Sequence, residues 1–337
     1  GESLKRRNDQ RLFLILNSDS FEINLQNHKD FVNKNYFQKL YNLSREDGVN
    51  FPLLNAEQRK MVNIEDQNVL VQGVAGSGKT NICISKIIFA ATRGYRGKVL
   101  YTTYSRGLLV DTHDKVLTFR QNLIDFVKDF EEGRLEFSDK DYKRAIENKL
   151  GIYFSVEEKP KIITQIQRII EFINENTDYL LIEDLFKQYI KNDIKIADEK
   201  YFVSKYVKNI RNHQLAGKLD KIKELSLEVI YKEIYGMILG CYSSKNNSDL
   251  MSLEDYIAYR KDSFSKKECE IIYSIALDYK KHLDLDNLWD NNSISKELLK
   301  ISKDMQKYSL AIIDETQDMT QVNLSLMKRL SIKMFCV

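Results

Sequence analysis

Residues 68–80 read NVLVQGVAGSGKT, and the reading of this run decides the fold. NVLVQ is a short β-branched stretch that meets glycines at once, and the residues from 78 to 93 then follow a helical pattern. GVAGSGKT at 73–80 fits G-x-x-x-x-G-K-[S/T], with Gly73, Gly78, Lys79 and Thr80 at the defining positions and Gly76 and Ser77 between them. The chemistry needs these residue types. Glycines let the backbone turn so that successive N–H groups converge on phosphate oxygens, and the following helix adds its positive N-terminal dipole. Lys79 then reaches the outer phosphates of a nucleotide and the Thr80 hydroxyl ligates Mg²⁺. The alternative is a glycine-rich turn that only caps a helix; the strand before the loop and the helix after it favour the phosphate site.

Working outward, buried-strand patterns recur at 98–103 (KVLYTT), 309–313 (LAII preceded by Ser309) and 334–337 (MFCV), with a helix predicted over 320–330. Their runs are continuously apolar, as parallel strands covered on both faces are. AIIDETQD at 311–318 puts Asp314 and Glu315 directly after a strand, where an Asp can hold Mg²⁺ and the adjacent Glu can polarise a water. An Asp-Glu pair at a strand end is common by itself; joined to the glycine loop it completes a nucleotide site. From about 120 to 300 the periodicity is helical, clearest in the stripe Ile162, Ile163, Ile166, Ile169, Ile170 and Ile173, which reads as core packing rather than a ligand site. The expected architecture is α/β: a parallel sheet formed by 51–119 and 301–337, a large helical insertion at 120–300, and an N-terminal extension at 1–50 containing a strand near 12–16.

Four stretches resemble the UvrD/Rep-type superfamily 1 helicases, and the resemblance runs from about Leu53 to Val337. LLNAEQRKMV (53–62) resembles the Q motif, which implies that Gln58 recognises the adenine edge; GVAGSGKT is motif I; VLYTTYSRGLL (99–109) resembles motif Ia, which implies that Thr103, Tyr104 and Ser105 contact single-stranded DNA; DETQD (314–318) is motif II. YSIALDYKKHLDLDNLW (273–289) is similar to the segment that precedes motif II, with Asp284 and Asp286 at its acidic positions. The resemblance implies a RecA-like 1A domain with a helical 1B insertion, ATP and Mg²⁺ as cofactors, and ATP-driven movement on single-stranded DNA. It casts Lys79, Asp314 and Glu315 as the catalytic set, adds Gln317 to the nucleotide contacts, and makes Thr80 and Asp314 the metal ligands. Asn81 departs from the Arg the family often carries after its Gly-Lys-Thr. The sequence ends where the family continues into motif III, so these residues alone are expected to bind ATP with little turnover. A second expectation from the same resemblance is a nucleotide-gated module that remodels a protein complex, such as one containing RNA polymerase.

The bulk numbers are compatible with either. A length of 337 residues exceeds what one core usually fills, and 43% apolar with 30% charged residues excludes a disordered chain. Lys plus Arg number 52 against 49 acids, so any basic surface must be local. One candidate is 187–223, with ten basic and four acidic side chains interleaved with Tyr189, Tyr201, Phe202 and Tyr206; a solvated helix face with buried aromatics is the equal alternative. Cys83, Cys241, Cys269 and Cys336 form no CxxC pair, and His28, His113, His213 and His282 do not cluster with acids or cysteines, so neither zinc nor a disulfide framework is expected. No run reaches the roughly 18 apolar residues of a membrane span. A cytoplasmic monomer that binds single-stranded DNA is expected, with no membrane contact.

Overall fold

The computed structural model describes residues 54, 56–73, 77–134, 158–190, 194–210, 213–241, 250–301 and 307–337. The N-terminal extension, including the strand expected near 12–16, lies outside them, as does Gly76. The described residues separate into two compact units, one formed by those up to Leu181 with 308–314 and 333–337, the other by those between 182 and 307 with 315–332.

The first unit is a parallel sheet with helices. Its elements in chain order are α1 (Ala56–Val62), β1 (Val69–Leu70), α2 (Lys79–Arg93), β2 (Lys98–Thr103), α3 (Arg106–Glu131), α4 (Lys159–Glu175), β3 (Thr177–Leu181), and, after the second unit's segment, β6 (Tyr308–Ile313) and β7 (Ser331–Cys336). Strand order is β1-β7-β6-β2-β3. Val69 pairs with Phe335, Leu70 with Cys336, Thr102 with Ile313 and Thr103 with Leu181. β2 and β6 are buried almost throughout, because central strands of a parallel sheet are covered on both faces. The four sheet strands expected from sequence appear as β1, β2, β6 and β7, and the fifth strand of the sheet, β3, was not among them. β3 is an edge strand, half-buried after Thr177, so it lacks the continuous apolar run that marks the others. Its Asp178 accepts from Lys98 Nζ at 2.9 Å and from the Tyr308 hydroxyl at 3.1 Å, tying three strands at their starts.

The isoleucine stripe lies on α4, as its spacing predicts, with Ile162, Ile163, Ile166, Ile169 and Ile173 buried and Ile170 partly so. The core it enters is that of the sheet unit, where α4 packs against α2 and α3. The first unit thus runs to Leu181, beyond the boundary at 120 that periodicity indicated. Spacing reveals that a helix has an apolar face, and not which core receives it.

The second unit is helical, with α5 (Ile182–Lys187), α6 (Glu199–Tyr201), α7 (His213–Leu219), α8 (Leu227–Lys232), α9 (Leu253–Arg260), α10 (Lys266–Leu285), α11 (Asn291–Ile301) and α12 (Gln321–Leu330), plus a two-stranded pairing of β4 (Lys195–Ile196) with β5 (Leu288–Trp289). Phe202, Tyr206, Tyr231, Ile234, Tyr256, Ile272 and Tyr279 fill its separate core. Two π-helical turns, Phe202–Tyr206 and Glu233–Ile238, interrupt the regular winding. At the second, buried Glu233 accepts from Arg260 Nε and Nη2 at 2.8 Å each and from the Tyr256 hydroxyl at 3.1 Å, so the charge is fully paired. Just beyond it, Gly240 is required by close approach: an added Cβ would lie 2.7 Å from the Thr320 Cβ and 2.5 Å from the Gly236 carbonyl oxygen.

Because Ile166 is wholly buried while its neighbour Gln167 is exposed, Ile166→Ala should lower stability by about 2–5 kcal/mol and Gln167→Ala by less than about 0.5 kcal/mol in denaturant melts. Equal losses would mean that the stripe does not carry the packing assigned to it.

Candidate nucleotide site

The loop between β1 and α2 is shaped by its glycines. Gly78 is the N-cap of α2 at φ 80° and ψ 26°, a left-handed conformation costly for a side-chain-bearing residue, and it offers no side-chain cap to the helix. The amides of the first turn of this 15-residue helix therefore stay directed at the loop, the usual basis of an anion site. A Cβ at Gly73 would fall 2.7 Å from Ser77 Oγ, so the loop closes tightly on itself. Lys79 Nζ donates to the Gly73 carbonyl at 3.3 Å, curling back over the loop. Gln58, on α1, donates through Nε2 to the Ser77 carbonyl at 3.0 Å, which brings the expected base-recognising side chain against the loop. Thr80 is half-buried in the first turn of α2.

Asp314 follows β6 and is fully buried. Its Oδ2 accepts from the Tyr101 hydroxyl at 3.1 Å, and that hydroxyl in turn accepts from Thr112 Oγ1 at 3.1 Å. Burial, and then the Asp314 charge, push the Tyr101 phenol far up from its ordinary value, so it stays a neutral donor. Parallel register puts the carboxyl ends of these strands on one edge. Val71 N donates to the Cys336 carbonyl, Val337 N to Ile313 and Asp314 N to Thr102, at 2.8, 2.9 and 3.0 Å. The glycine loop leaves β1 and Asp314 leaves β6 at this edge, with β7 between them.

The matching family model, the UvrD/REP helicase N-terminal domain, covers residues 54–337. The chain belongs to this family, the superfamily 1 helicases. A search of the curated proteins finds no match.

The remaining helicase motif residues fall as follows. Thr103, expected to touch DNA, is fully buried, and its Oγ1 accepts from the Ser105 amide at 3.2 Å; it shapes the turn and has no exposed side chain to offer. Tyr104 is half-buried and Ser105 is exposed, with Ser105 Oγ capping α3 by accepting from the Leu108 amide at 3.3 Å. Glu315 has φ 59°, an uncommon left-handed value for a non-glycine residue, and opens the 3₁₀ turn Thr316–Asp318. Gln317 Nε2 donates to the Glu315 carboxylate within that turn. Desolvation, reinforced by Glu315, raises Asp318 from the ordinary carboxylate value.

In the candidate strand-tracking segment, Phe202 and Tyr206 are core residues, packed on Tyr231 and Tyr279, and the Tyr206 hydroxyl donates to Asp278 at 2.8 Å. Those two aromatics belong to the buried alternative. Asp284 pairs with Lys280 at 3.0 Å on the exposed side of α10, and Asp286 with His282 at 3.4 Å. Among the described residues no three His, Cys, Asp or Glu side chains gather as a metal cluster, and no helix is long and apolar enough to cross a membrane.

Sequence reasoning missed Tyr101 and Thr112. Tyr101 sits inside motif Ia as one more apolar strand position and Thr112 as one more helical polar residue; only their meeting at Asp314 reveals a role. Tyr101→Phe removes the donor to a buried carboxylate and should cost about 1–3 kcal/mol of stability, measured by chemical denaturation. An unchanged midpoint would show that the hydroxyl does not support Asp314.

Proposed function

We propose that this chain forms the nucleotide-binding part of an ATP-driven motor acting on single-stranded DNA. What carries the reading is one arrangement in the sheet unit: the glycine loop with Lys79, and the buried Asp314, leave the same carboxyl edge two strand positions apart. Two interstrand spacings amount to ~10 Å.

In this reading the backbone amides at the start of α2 and the Lys79 ammonium bind the phosphates, and Gln58 recognises adenine. The Thr80 hydroxyl and Asp314 are oxygen donors, the type Mg²⁺ prefers in small number beside phosphate and water, and would hold the metal, which would supply charge neutralisation to the phosphates. Tyr101, itself held by Thr112, keeps Asp314 aimed. Glu315 takes the proton of the water whose oxygen bonds to the γ-phosphorus as the bond to the β–γ bridging oxygen breaks, leaving ADP and phosphate. Gln317 relays the nucleotide state to neighbouring motifs. Tyr104 offers a ring for stacking on a base and Ser105 a hydroxyl to the strand.

Lys79→Ala should abolish Mg-ATP binding in titration calorimetry, and an unchanged affinity would remove the loop from the reading. Tyr104→Ala should weaken binding of an oligo-dT strand by about 1–3 kcal/mol, read by fluorescence anisotropy. If no strand binds and only a protein partner stimulates hydrolysis, the nucleotide-gated remodelling module takes its place.

A further inference from the structure

Lys86 is the one lysine whose whole side chain is buried among the described residues, 1% exposed in the middle of α2. A buried ammonium costs free energy unless its hydrogens are used. Here they are used on the end of another helix: Nζ donates to the Val62 carbonyl at 2.7 Å and to the Ile64 carbonyl at 2.6 Å. Val62 is the last residue of α1, so the ammonium sits on the negative end of that helix and satisfies carbonyls that the helix cannot. The rings of Phe89 and Phe335 lie 4.9 and 5.3 Å from Nζ, enclosing the charge with favourable cation–π contacts.

α1 is only seven residues long, too short to hold its own geometry, and it carries Gln58. It is fastened to the loop–helix unit at two places. Gln58 touches the loop through the Ser77 carbonyl, and the far end of α1 is gripped by Lys86, two helical turns beyond Lys79 on α2. Moving that far end moves Gln58 with it, whereas the backbone amides and Lys79 that face phosphate lie on α2 and its loop.

We propose that Lys86 is a positioning residue of the nucleotide site, which by clamping the Val62 and Ile64 carbonyls sets α1 so that Gln58 meets the base, and so contributes to adenine selectivity without touching the nucleotide. The inference rests on the nucleotide reading above. Several charges face the clamp: Glu65 favours the ammonium and Lys333 opposes it, Glu65 being paired with Arg93 at 3.5 Å and Lys333 with Asp66 at 3.8 Å. Desolvation first, with Lys333 adding to it, lowers Lys86 to about 8. The unfolded side chain holds its proton to about 10.5, so raising the pH through 8 removes the charge that strengthens both bonds.

The test is calorimetry on the 337-residue protein with Mg-ATP and with Mg-tripolyphosphate, which lacks a base. Lys86→Met should lower the ATP-to-tripolyphosphate affinity ratio roughly tenfold, two charge-assisted bonds being lost, and Lys86→Arg should restore part of it. In the double variant with Gln58→Ala, the ratio should fall no further than in Gln58→Ala alone. A second measurement spares Lys86: the factor by which Gln58→Ala weakens ATP binding should shrink between pH 7 and pH 9, a comparison in which ionisation of the ligand cancels. A ratio unmoved by Lys86→Met, a loss equal for both ligands, or a Gln58→Ala factor independent of pH overturns the proposal. Wild-type protein that binds neither ligand overturns the nucleotide reading itself, and this inference with it.

Discussion

Parallel pairing around β6 is the constraint on which everything else depends. β6 lies between β7 and β2, and its neighbours run the same way, so the loops that follow β1, β6 and β2 all emerge on one edge. Chemistry collects at such an edge because strands end there and helices begin there, their amide dipoles pointing outward. A single antiparallel strand in place of β6 would carry Asp314 to the opposite edge. The aspartate is fully buried, and the Tyr101 hydroxyl, itself held by Thr112, donates to it.

The two cores divide the work. The sheet unit gathers its apolar side chains around α2, a helix buried on nearly all sides, and so fixes the element that carries Lys79 and Thr80 at its start. The helical unit has an aromatic core in which two tyrosine hydroxyls find carboxylate partners, Tyr206 on Asp278 and Tyr256 on Glu233. In the same unit, the helix after motif II is joined to the insertion by buried polar contacts rather than by apolar packing alone. Thr320 donates to Asn292 at 2.6 Å, Ser295 to Asn323 at 2.8 Å, and the Val322 amide to the Gly240 carbonyl at 3.0 Å. Directional bonds of this kind tolerate few alternative packings, so residues after DETQD have a defined seat among the insertion helices.

Short elements depend on others for their position. α1 has seven residues and β1 two, yet both belong to the site. β1 is held by its ladder to β7 and α1 by Lys86 and Gln58. The cost of burying an ammonium is offset by two carbonyls and two aromatic rings, a local exception to the burial of apolar groups that surrounds it.

Much was legible in the residues themselves. The helix that begins at Lys79, the strands over 98–103 and 309–313, and the helix over 320–330 stand where their patterns put them, since a continuous apolar run or a helical stripe is a property of neighbouring residues. Motif spacing likewise singled out Lys79, Thr80, Gln58 and Asp314 as candidates for the site. Other features were decided by tertiary structure alone. β3 is an edge strand with a mixed pattern, the α4 isoleucines enter the sheet's core, Thr103 is buried in its turn, and Tyr101, Thr112 and Lys86 acquire roles only through partners 213, 11 and 24 positions away. Local pattern records which face of a segment avoids water; it holds no information about which distant group that face, or a single polar atom within it, will meet.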